Sequence, residues 1–126
     1  MIIKSTRIPA SHAKRIAKYL AMPADNESAH WIRGCPDDLL TMGEISKLAG
    51  KPFAVRHFVV APNERMCQQD FTFVFCEICR EYGVSMVGGN RVSIVEHVNP
   101  RATGSGNELH WHLAFPEHDV ETERTL

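Results

Sequence analysis

No run of this sequence is apolar for the roughly 20 residues that a membrane-crossing helix needs. The chain begins MIIKSTRIP, where an apolar stretch of only three residues precedes the first charge, so a secretory signal is not expected. Of the 126 residues, 44% are hydrophobic and 23% are charged, which is typical of a soluble globular protein. We therefore expect one cytoplasmic domain over residues 1–126, without membrane insertion.

The chain has four cysteines, at positions 35, 67, 76 and 79. Four are too few for a disulfide-dense scaffold, and in the cytoplasm they would stay reduced. Cys76 and Cys79 form a C-x-x-C motif, a spacing that can hold zinc or carry out redox chemistry. A zinc site needs two further ligands, and the segment lacks the context of a thioredoxin turn. The favoured interpretation is therefore a pair of buried helix positions.

The net charge is only −1, but the charges are unevenly distributed along the chain. The first 24 residues contain no acid and five basic residues, Lys4, Arg7, Lys14, Arg15 and Lys18. The end is the reverse, and residues 116–126 read as an acidic tail with Glu117, Asp119, Glu121 and Glu123. A basic face is what phosphate binding requires, so nucleic acid is one expected partner. A solvated helix face explains the same charges equally well.

Hydrophobic periodicity predicts the element order β-α-β-α-β-α-β-β. Strands are expected at residues 1–4, 29–33, 53–61, 91–98 and 109–115, and helices at 11–22, 37–49 and 67–82. Ser11 is expected to cap the first helix. Residues 67–82 are ambiguous, because TFVF looks like a strand whereas the apolar spacing and the length favour a helix. The order predicts an α+β fold, a mainly antiparallel sheet with helices packed on one face and a final hairpin.

The segment NELHWHLAF, residues 107–115, places two histidines two apart in an otherwise apolar run. Because side chains alternate along a strand, His110 and His112 point to one face and Trp111 to the other. His97 lies on the preceding strand, and neighbouring strands are only ~4.8 Å apart. Three imidazoles with an open coordination position are typical of a metal site that binds substrate or water. The alternative is three unrelated histidines among the seven in the chain.

A metal ion beside a basic face could polarise a phosphodiester, and the reaction then needs an attacking group. Tyr19 lies near the end of the basic first helix, three residues after Ile16. A tyrosine hydroxyl is a known type of covalent nucleophile. The alternative for Tyr19 is a half-buried helix aromatic with its hydroxyl in water.

Together these segments resemble the N-terminal domain of conjugative relaxases, the mobilisation nucleases of the HUH endonuclease superfamily. The resemblance covers essentially residues 1–119, in the family's order, with MIIK, RIAKYL, HFVVAPNE, REYGV and VEHV…NELHWHLAFPEHD. The last segment is the most specific. The family's third motif is a histidine followed by an H-x-H pair that holds one divalent cation, and it matches His97, His110 and His112. The first-motif tyrosine, which cuts one strand at the plasmid transfer origin and stays joined to its 5′ phosphate, matches Tyr19.

The resemblance implies a single relaxase-like nuclease domain with the HUH, ferredoxin-like fold. It implies that Tyr19 attacks the scissile phosphate of single-stranded DNA, that histidine-bound Mg²⁺ or Mn²⁺ neutralises the oxygens, and that the strand can be rejoined. Lys14, Arg15 and Lys18 would lie near the DNA, and accessory mobilisation proteins are expected as partners. Family members are longer, so the chain is expected to be a natural short form or the front of a longer protein.

Two positions depart from the family's pattern. Relaxases of this type often carry a serine where this chain has Ala61, and an aspartate where it has Asn99. Glu96 would point to the opposite face of a regular strand, so it could replace the aspartate only if a β-bulge turned its side chain to the other face.

Three hypotheses for the function follow, of which the first is favoured. They are a metal-dependent DNA nickase and ligase, a weak or inactive single-stranded DNA-binding module, and a metal site for small phosphoesters in which Tyr19 is structural.

Overall fold

The computed structural model describes residues 2–22, 28–62, 67–84, 92–100 and 107–118. Its strands are β1 (Ile2–Pro9), β2 (Ser28–Arg33), β3 (Phe53–Ala61), β4 (Ser93–Pro100) and β5 (Asn107–Pro116). A 3-10 helix (Ala10–His12) leads into α1 (Ala13–Ala21), and the other helices are α2 (Pro36–Leu48) and α3 (Gln68–Tyr82). The predicted order of strands and helices is confirmed, including the helix in the ambiguous segment 67–82. No helix among the described residues combines the length and the apolar character needed to span a membrane.

Within the described residues, five strands form one sheet in the order β1-β3-β5-β4-β2, and neighbouring strands are antiparallel throughout. β4 and β5 form the predicted hairpin pair. β5 is the central strand, between β3 and β4, so both of its faces require cover. This position explains why apolar residues and histidines alternate in NELHWHLAF, since the two sets face different layers.

One face of the sheet is covered by α3. Its buried side chains Phe71, Phe75 and Ile78 are spaced for one helix face and pack against the apolar residues of β3 and β5. Phe71 stacks on Trp111 with ring centroids 4.6 Å apart. Phe73, on the other side of the helix, is 67% exposed. The TFVF run therefore follows the helical period, which is why the helix prediction was right.

The opposite face is covered by α1 and α2. Leu20 and Leu39 pack there with Val95 and other small apolar residues of the sheet. A Cβ added to Gly43 of α2 would lie 2.6 Å from the Cβ of Ala13 in α1, so the glycine allows the two helices to approach closely. The α+β class and the antiparallel sheet are confirmed, whereas the helices occupy both faces rather than one. A central strand with two buried faces needs a helical layer on each side.

The start of α1 and the end of β1 differ from the predicted positions. The cap at Ser11 is wrong, because that residue lies within the 3-10 helix and α1 follows His12 without a side-chain cap. β1 continues past the predicted residue 4, because it pairs with β3 as far as Pro9.

In the C-x-x-C motif, Cys79 is buried and Cys76 is half-buried on α3, and both are free thiols. Burial raises the pKa of the Cys79 thiol to about 11, which disfavours the thiolate that metal or redox chemistry requires.

The charge asymmetry of the sequence is partly cancelled within the fold. Glu117 is fully buried, and its Oε1 accepts hydrogen bonds from Nη2 of Arg7 at 2.7 Å and from Nε at 3.0 Å. Nε of Arg56 lies 3.8 Å from Oε2 of the same carboxylate. Arg7 is therefore not free to bind phosphate, and Glu117 does not belong to a solvated tail. Residues 119–126 of the predicted tail lie outside the described residues.

Candidate metal centre

The three histidines singled out in the sequence lie together on the face that carries α1 and α2. Pairing of β4 with β5 sets His97 opposite His110, and His112 follows two residues later on the same face. Ring centroids are 4.3 Å apart for His97 and His112, and 5.0 Å apart for His110 and His112. One ring nitrogen from each histidine lies within 4.8 Å of the other two. This cluster could hold a metal ion.

The histidines of this cluster are largely shielded from water. His97 and His112 are buried, with exposed fractions of 0% and 2%, and His110 is half-buried. Burial is the main cause that lowers the pKa of His112 from 6.5 to about 2, and charge on the neighbouring histidines adds to it. The ring is therefore neutral at physiological pH. A neutral imidazole has the lone pair that a metal ion requires.

The orientation of His97 is set by the end of α1. Nε2 of His97 donates a hydrogen bond to the carbonyl oxygen of Leu20 at 2.9 Å. Leu20 lies in the last turn of α1, where carbonyl groups lack partners within the helix. Because a carbonyl can only accept, Nε2 carries the proton of a neutral His97 ring. Nδ1 is then the nitrogen of His97 with a lone pair for a metal.

A fourth histidine, which the sequence analysis did not single out, extends the cluster. His57 of β3 is buried, and its Nε2 lies 2.8 Å from Nδ1 of His112. Burial, and then the charge of His97, lowers the pKa of His57 from 6.5 to about 4, so this ring is neutral as well. The signal available in the sequence was a histidine within the apolar strand FAVRHFVVA. That signal points to His112 only once β3 is known to pair with β5.

Tyr19 lies directly beside the histidine cluster. Its ring centroid is 5.9 Å from that of His112 and 6.2 Å from that of His97, with an edge directed at each ring. The side chain is 50% exposed. Tyr19 also precedes Leu20, whose carbonyl binds His97, so the phenol and the cluster are held by adjacent residues of one helix end. The structure thus places a half-exposed phenol ring against two of the three histidines of the cluster.

The predicted DNA-binding residues Lys14, Arg15 and Lys18 are all exposed on α1. Within the described ranges, none of the three forms a salt bridge. Arg15 lies one helical turn before Tyr19 and shares its side of the helix, and Lys18 is its immediate neighbour. Arg15 is therefore the basic residue nearest to the side of α1 that carries the phenol, and Lys14 and Lys18 lie further round the exposed surface of the helix.

The two positions that depart from the relaxase pattern lie on β3 and β4. Ala61 ends β3, and strand alternation puts it on the same face as His57. Asn99 pairs with Glu108 across β4 and β5, but its side chain lies outside the described residues. Glu96 accepts a hydrogen bond from Nε1 of Trp111 at 3.1 Å on the α3 face. The expectation that Glu96 points away from the histidines is confirmed, so it does not replace the aspartate.

Comparisons of this chain with protein-family models, with curated proteins and with solved structures give no match. Function is therefore inferred from the histidine cluster, from Tyr19 beside it and from the basic surface of α1. Within the described residues, a half-exposed phenol, a histidine cluster that could hold a metal ion and exposed basic side chains of α1 lie close together in the fold.

Proposed function

We propose that the protein is a DNA relaxase, a metal-dependent enzyme that nicks and rejoins one DNA strand at a plasmid transfer origin. The observation that carries the proposal is a half-exposed Tyr19 whose ring lies about 6 Å from two histidines of a three-histidine cluster. In this function Tyr19 is the nucleophile, His97, His110 and His112 hold a divalent cation, and the basic residues of α1 bind single-stranded DNA. The enzyme would act in the cytoplasm together with accessory mobilisation proteins.

The donor set favours Mn²⁺ over Mg²⁺ as the cation. Mg²⁺ prefers oxygen ligands and keeps several of its waters, whereas neutral imidazole binds divalent transition metals, with Mn²⁺ the weakest of that series and Zn²⁺ and Cu²⁺ among the strongest. Nε2 of His112 is buried and makes no hydrogen bond within the described part of the chain, so it is suited to a ligand that the protein alone does not supply. When bound, the cation would supply Lewis-acid neutralisation of the negative charge on the scissile phosphate.

In the proposed reaction the Tyr19 hydroxyl gives up its proton and forms a bond to phosphorus. The bond from phosphorus to the 3′ oxygen breaks, and that oxygen takes up a proton and leaves as a free 3′ hydroxyl. The 5′ end of the cut strand remains attached to Tyr19 as a phosphotyrosine. Because this ester retains the energy of the broken bond, attack by a 3′ hydroxyl restores the strand. Arg15 and Lys18 would hold the backbone phosphates beside the cut.

The proposal is tested by looking for a covalent protein–DNA adduct. Because the nick site is not known, the protein is incubated with Mn²⁺ and a randomised library of labelled single-stranded DNA, and adducts are separated on a denaturing gel. We expect an adduct with the natural protein and none with Tyr19→Phe, which keeps the ring and removes the attacking oxygen. Tyr82→Phe is the matched control, since Tyr82 packs against Phe58 on the other face of the sheet. Equal adduct formation by Tyr19→Phe would rule out this nucleophile.

A second candidate function is binding of single-stranded DNA without cleavage. It is favoured by Ala61, which supplies no hydroxyl at the position where relaxases often carry a serine. This function predicts salt-sensitive DNA binding with no adduct, whatever cation is added.

Hydrolysis of small phosphoesters is the third candidate function, and it predicts phosphatase activity that Tyr19→Phe leaves unchanged. The adduct assay, run beside a phosphatase assay, separates the three functions.

A further inference from the structure

The contact between His57 and His112 is a hydrogen bond between ring edges. The two rings lie within 13° of parallel, with centroids 5.0 Å apart, and the nitrogens are separated by 2.8 Å. Face-to-face contact between rings requires atoms about 3.5 Å or more apart. The 2.8 Å approach is therefore an edge contact, and a single proton lies between Nε2 of His57 and Nδ1 of His112.

The position of that proton decides which nitrogen of His112 can bind a cation. If Nδ1 of His112 carries the proton and donates it to His57, Nε2 of the neutral His112 ring has a lone pair. If His57 donates instead, Nε2 of His112 carries a proton and cannot be a ligand. Only the first arrangement gives Nε2, which is buried and makes no hydrogen bond within the described residues, a lone pair for a metal.

We infer that His57 is a positioning residue for the metal centre, which accepts the Nδ1 proton of His112 and so presents Nε2 of His112 to the cation. The inference rests on the proposed function, since it takes the histidine cluster to be a cation site. It adds to that function a fourth histidine on a third strand. Partners of this kind orient metal-binding histidines and fix the tautomer, and their loss typically weakens metal binding about 10–100-fold.

The sheet register explains how His57 reaches His112. His57 pairs directly with Ala114 of β5, and Val59 pairs with His112. His112 is thus the diagonal neighbour of His57, within the reach of an aromatic side chain. Ala114 has no bulk beyond its Cβ, so the space above it is open to the imidazole of His57. A larger residue at position 114 would compete with this ring for the same space.

The test measures Mn²⁺ affinity by calorimetry in the absence of DNA. We expect His57→Phe to bind Mn²⁺ about 10–100-fold more weakly than the natural protein, although all three ligands remain. We expect His57→Gln to recover most of this loss, because its amide oxygen can accept the Nδ1 proton. Changes of His30 to Phe and Gln are the controls, since His30 is exposed on β2 and pairs with Glu96, away from the cluster.

A spectroscopic measurement covers the case in which His57→Phe does not fold. Nitrogen-15 NMR of the metal-free natural protein distinguishes imidazoles protonated at Nδ1 from those protonated at Nε2. We expect His112 to carry its proton on Nδ1. A proton on Nε2 of His112, or undiminished Mn²⁺ affinity in a folded His57→Phe protein, would overturn the inference.

These readouts also separate the inference from the proposed function. If His57→Phe weakens Mn²⁺ binding and the natural protein forms no DNA adduct, the positioning role stands and the nicking function fails. If the adduct forms and His57→Phe binds Mn²⁺ normally, the nicking function stands and the positioning role fails.

Discussion

The hydrogen bond from Nε2 of His97 to the carbonyl oxygen of Leu20, 2.9 Å long, joins the histidine cluster to the helix that carries Tyr19. Leu20 follows Tyr19 in the chain, so a histidine of the candidate cation site and the proposed nucleophile are joined by one short path of covalent and hydrogen bonds. The phenol side chain remains half-exposed. A site for covalent phosphate chemistry needs this combination of a fixed nucleophile and an open approach.

Cation binding should stabilise the folded protein. A ligand at 100 times its dissociation constant adds about 2.7 kcal/mol to the free energy of unfolding. We predict this gain with Mn²⁺ in urea unfolding of the natural protein. The gain should be lost in His110→Ala, which removes one of the three proposed ligands. His110 is chosen because it is half-buried, so its truncation disturbs the core least. His30→Ala is the control and should keep the gain. An equal gain in His110→Ala would show that the cation binds elsewhere.

Folding of the metal-free protein should weaken in mild acid. The pKa values of His57 and His112 are lowered from 6.5 to about 4 and about 2, so the unfolded chain binds protons more readily than the folded one. Stability is then fully present above pH 6.5 and falls as the pH is lowered below it, through pH 4 for His57 and further for His112. Each group contributes a slope of about 1.4 kcal/mol per pH unit.

Urea unfolding at pH 7.5, 6 and 5 in the presence of a chelator measures this slope. His57→Phe, which removes one of the two titrating groups, should have a shallower dependence than the natural protein. A free energy of unfolding that stays constant from pH 7.5 to 5 would contradict the neutral, buried state assigned to both rings.

The buried carboxylate of Glu117 should contribute strongly to stability. Glu117→Gln removes the charge that pairs with Arg7 at 2.7 Å and leaves two guanidinium groups around a neutral amide. Breaking one side of a buried ion pair costs about 3–5 kcal/mol, and partial exposure of the Arg7 side chain places the expected loss near the lower figure. Chemical unfolding gives the value.

The matched control for this change is Glu77→Gln. Glu77 pairs with Arg80 on the surface of α3 at 3.2 Å, and an exposed pair one helical turn apart is worth less than about 0.5 kcal/mol. Equal losses for the two variants would mean that the interaction of Glu117 with Arg7 is no stronger than a surface pair.

The basic surface of α1 should determine how DNA binding responds to salt. Each phosphate contact to a single strand contributes about −0.7 to the slope of log affinity against log salt concentration. We predict that Arg15→Gln and Lys18→Gln each make the slope shallower by about 0.7. Fluorescence anisotropy with labelled single-stranded DNA measures the slope. Lys51→Gln, at an exposed position before β3, is the control for loss of one charge. If the slope of log affinity against log salt concentration were the same in all three variants, specific phosphate contacts by α1 would be excluded.

The sequence predicted the histidine cluster well but its surroundings poorly. Alternation along a strand was enough to bring His110 and His112 to one face, and a hairpin partner added His97. The Leu20 carbonyl carries no residue-specific signal, because every residue has one. The contact of His57 with His112 depends on β3 lying beside β5, and strand order is not written in local periodicity. Because the strand order was unknown, the sequence also led to the wrong prediction that all helices pack on one face of the sheet.

Glu117 shows a different limit of sequence reasoning. In the sequence it belongs to an acidic C-terminal stretch, and composition favours solvent exposure for such a residue. In the fold its backbone N–H donates to the Ala54 carbonyl at 2.9 Å, which holds it at the end of the sheet beside Arg7. Burial of a charge depends on a partner over a hundred residues away, and no local pattern indicates that partner.

The most direct measurement is the location of the DNA attachment by mass spectrometry. After reaction with single-stranded DNA and Mn²⁺, the protein is digested with nuclease and trypsin, and the peptide that carries a residual nucleotide is fragmented. A phosphodiester link to Tyr19, absent when Mn²⁺ is chelated, is the predicted result. Attachment at another residue, or no attachment by a protein that binds both Mn²⁺ and DNA, would contradict the proposed function.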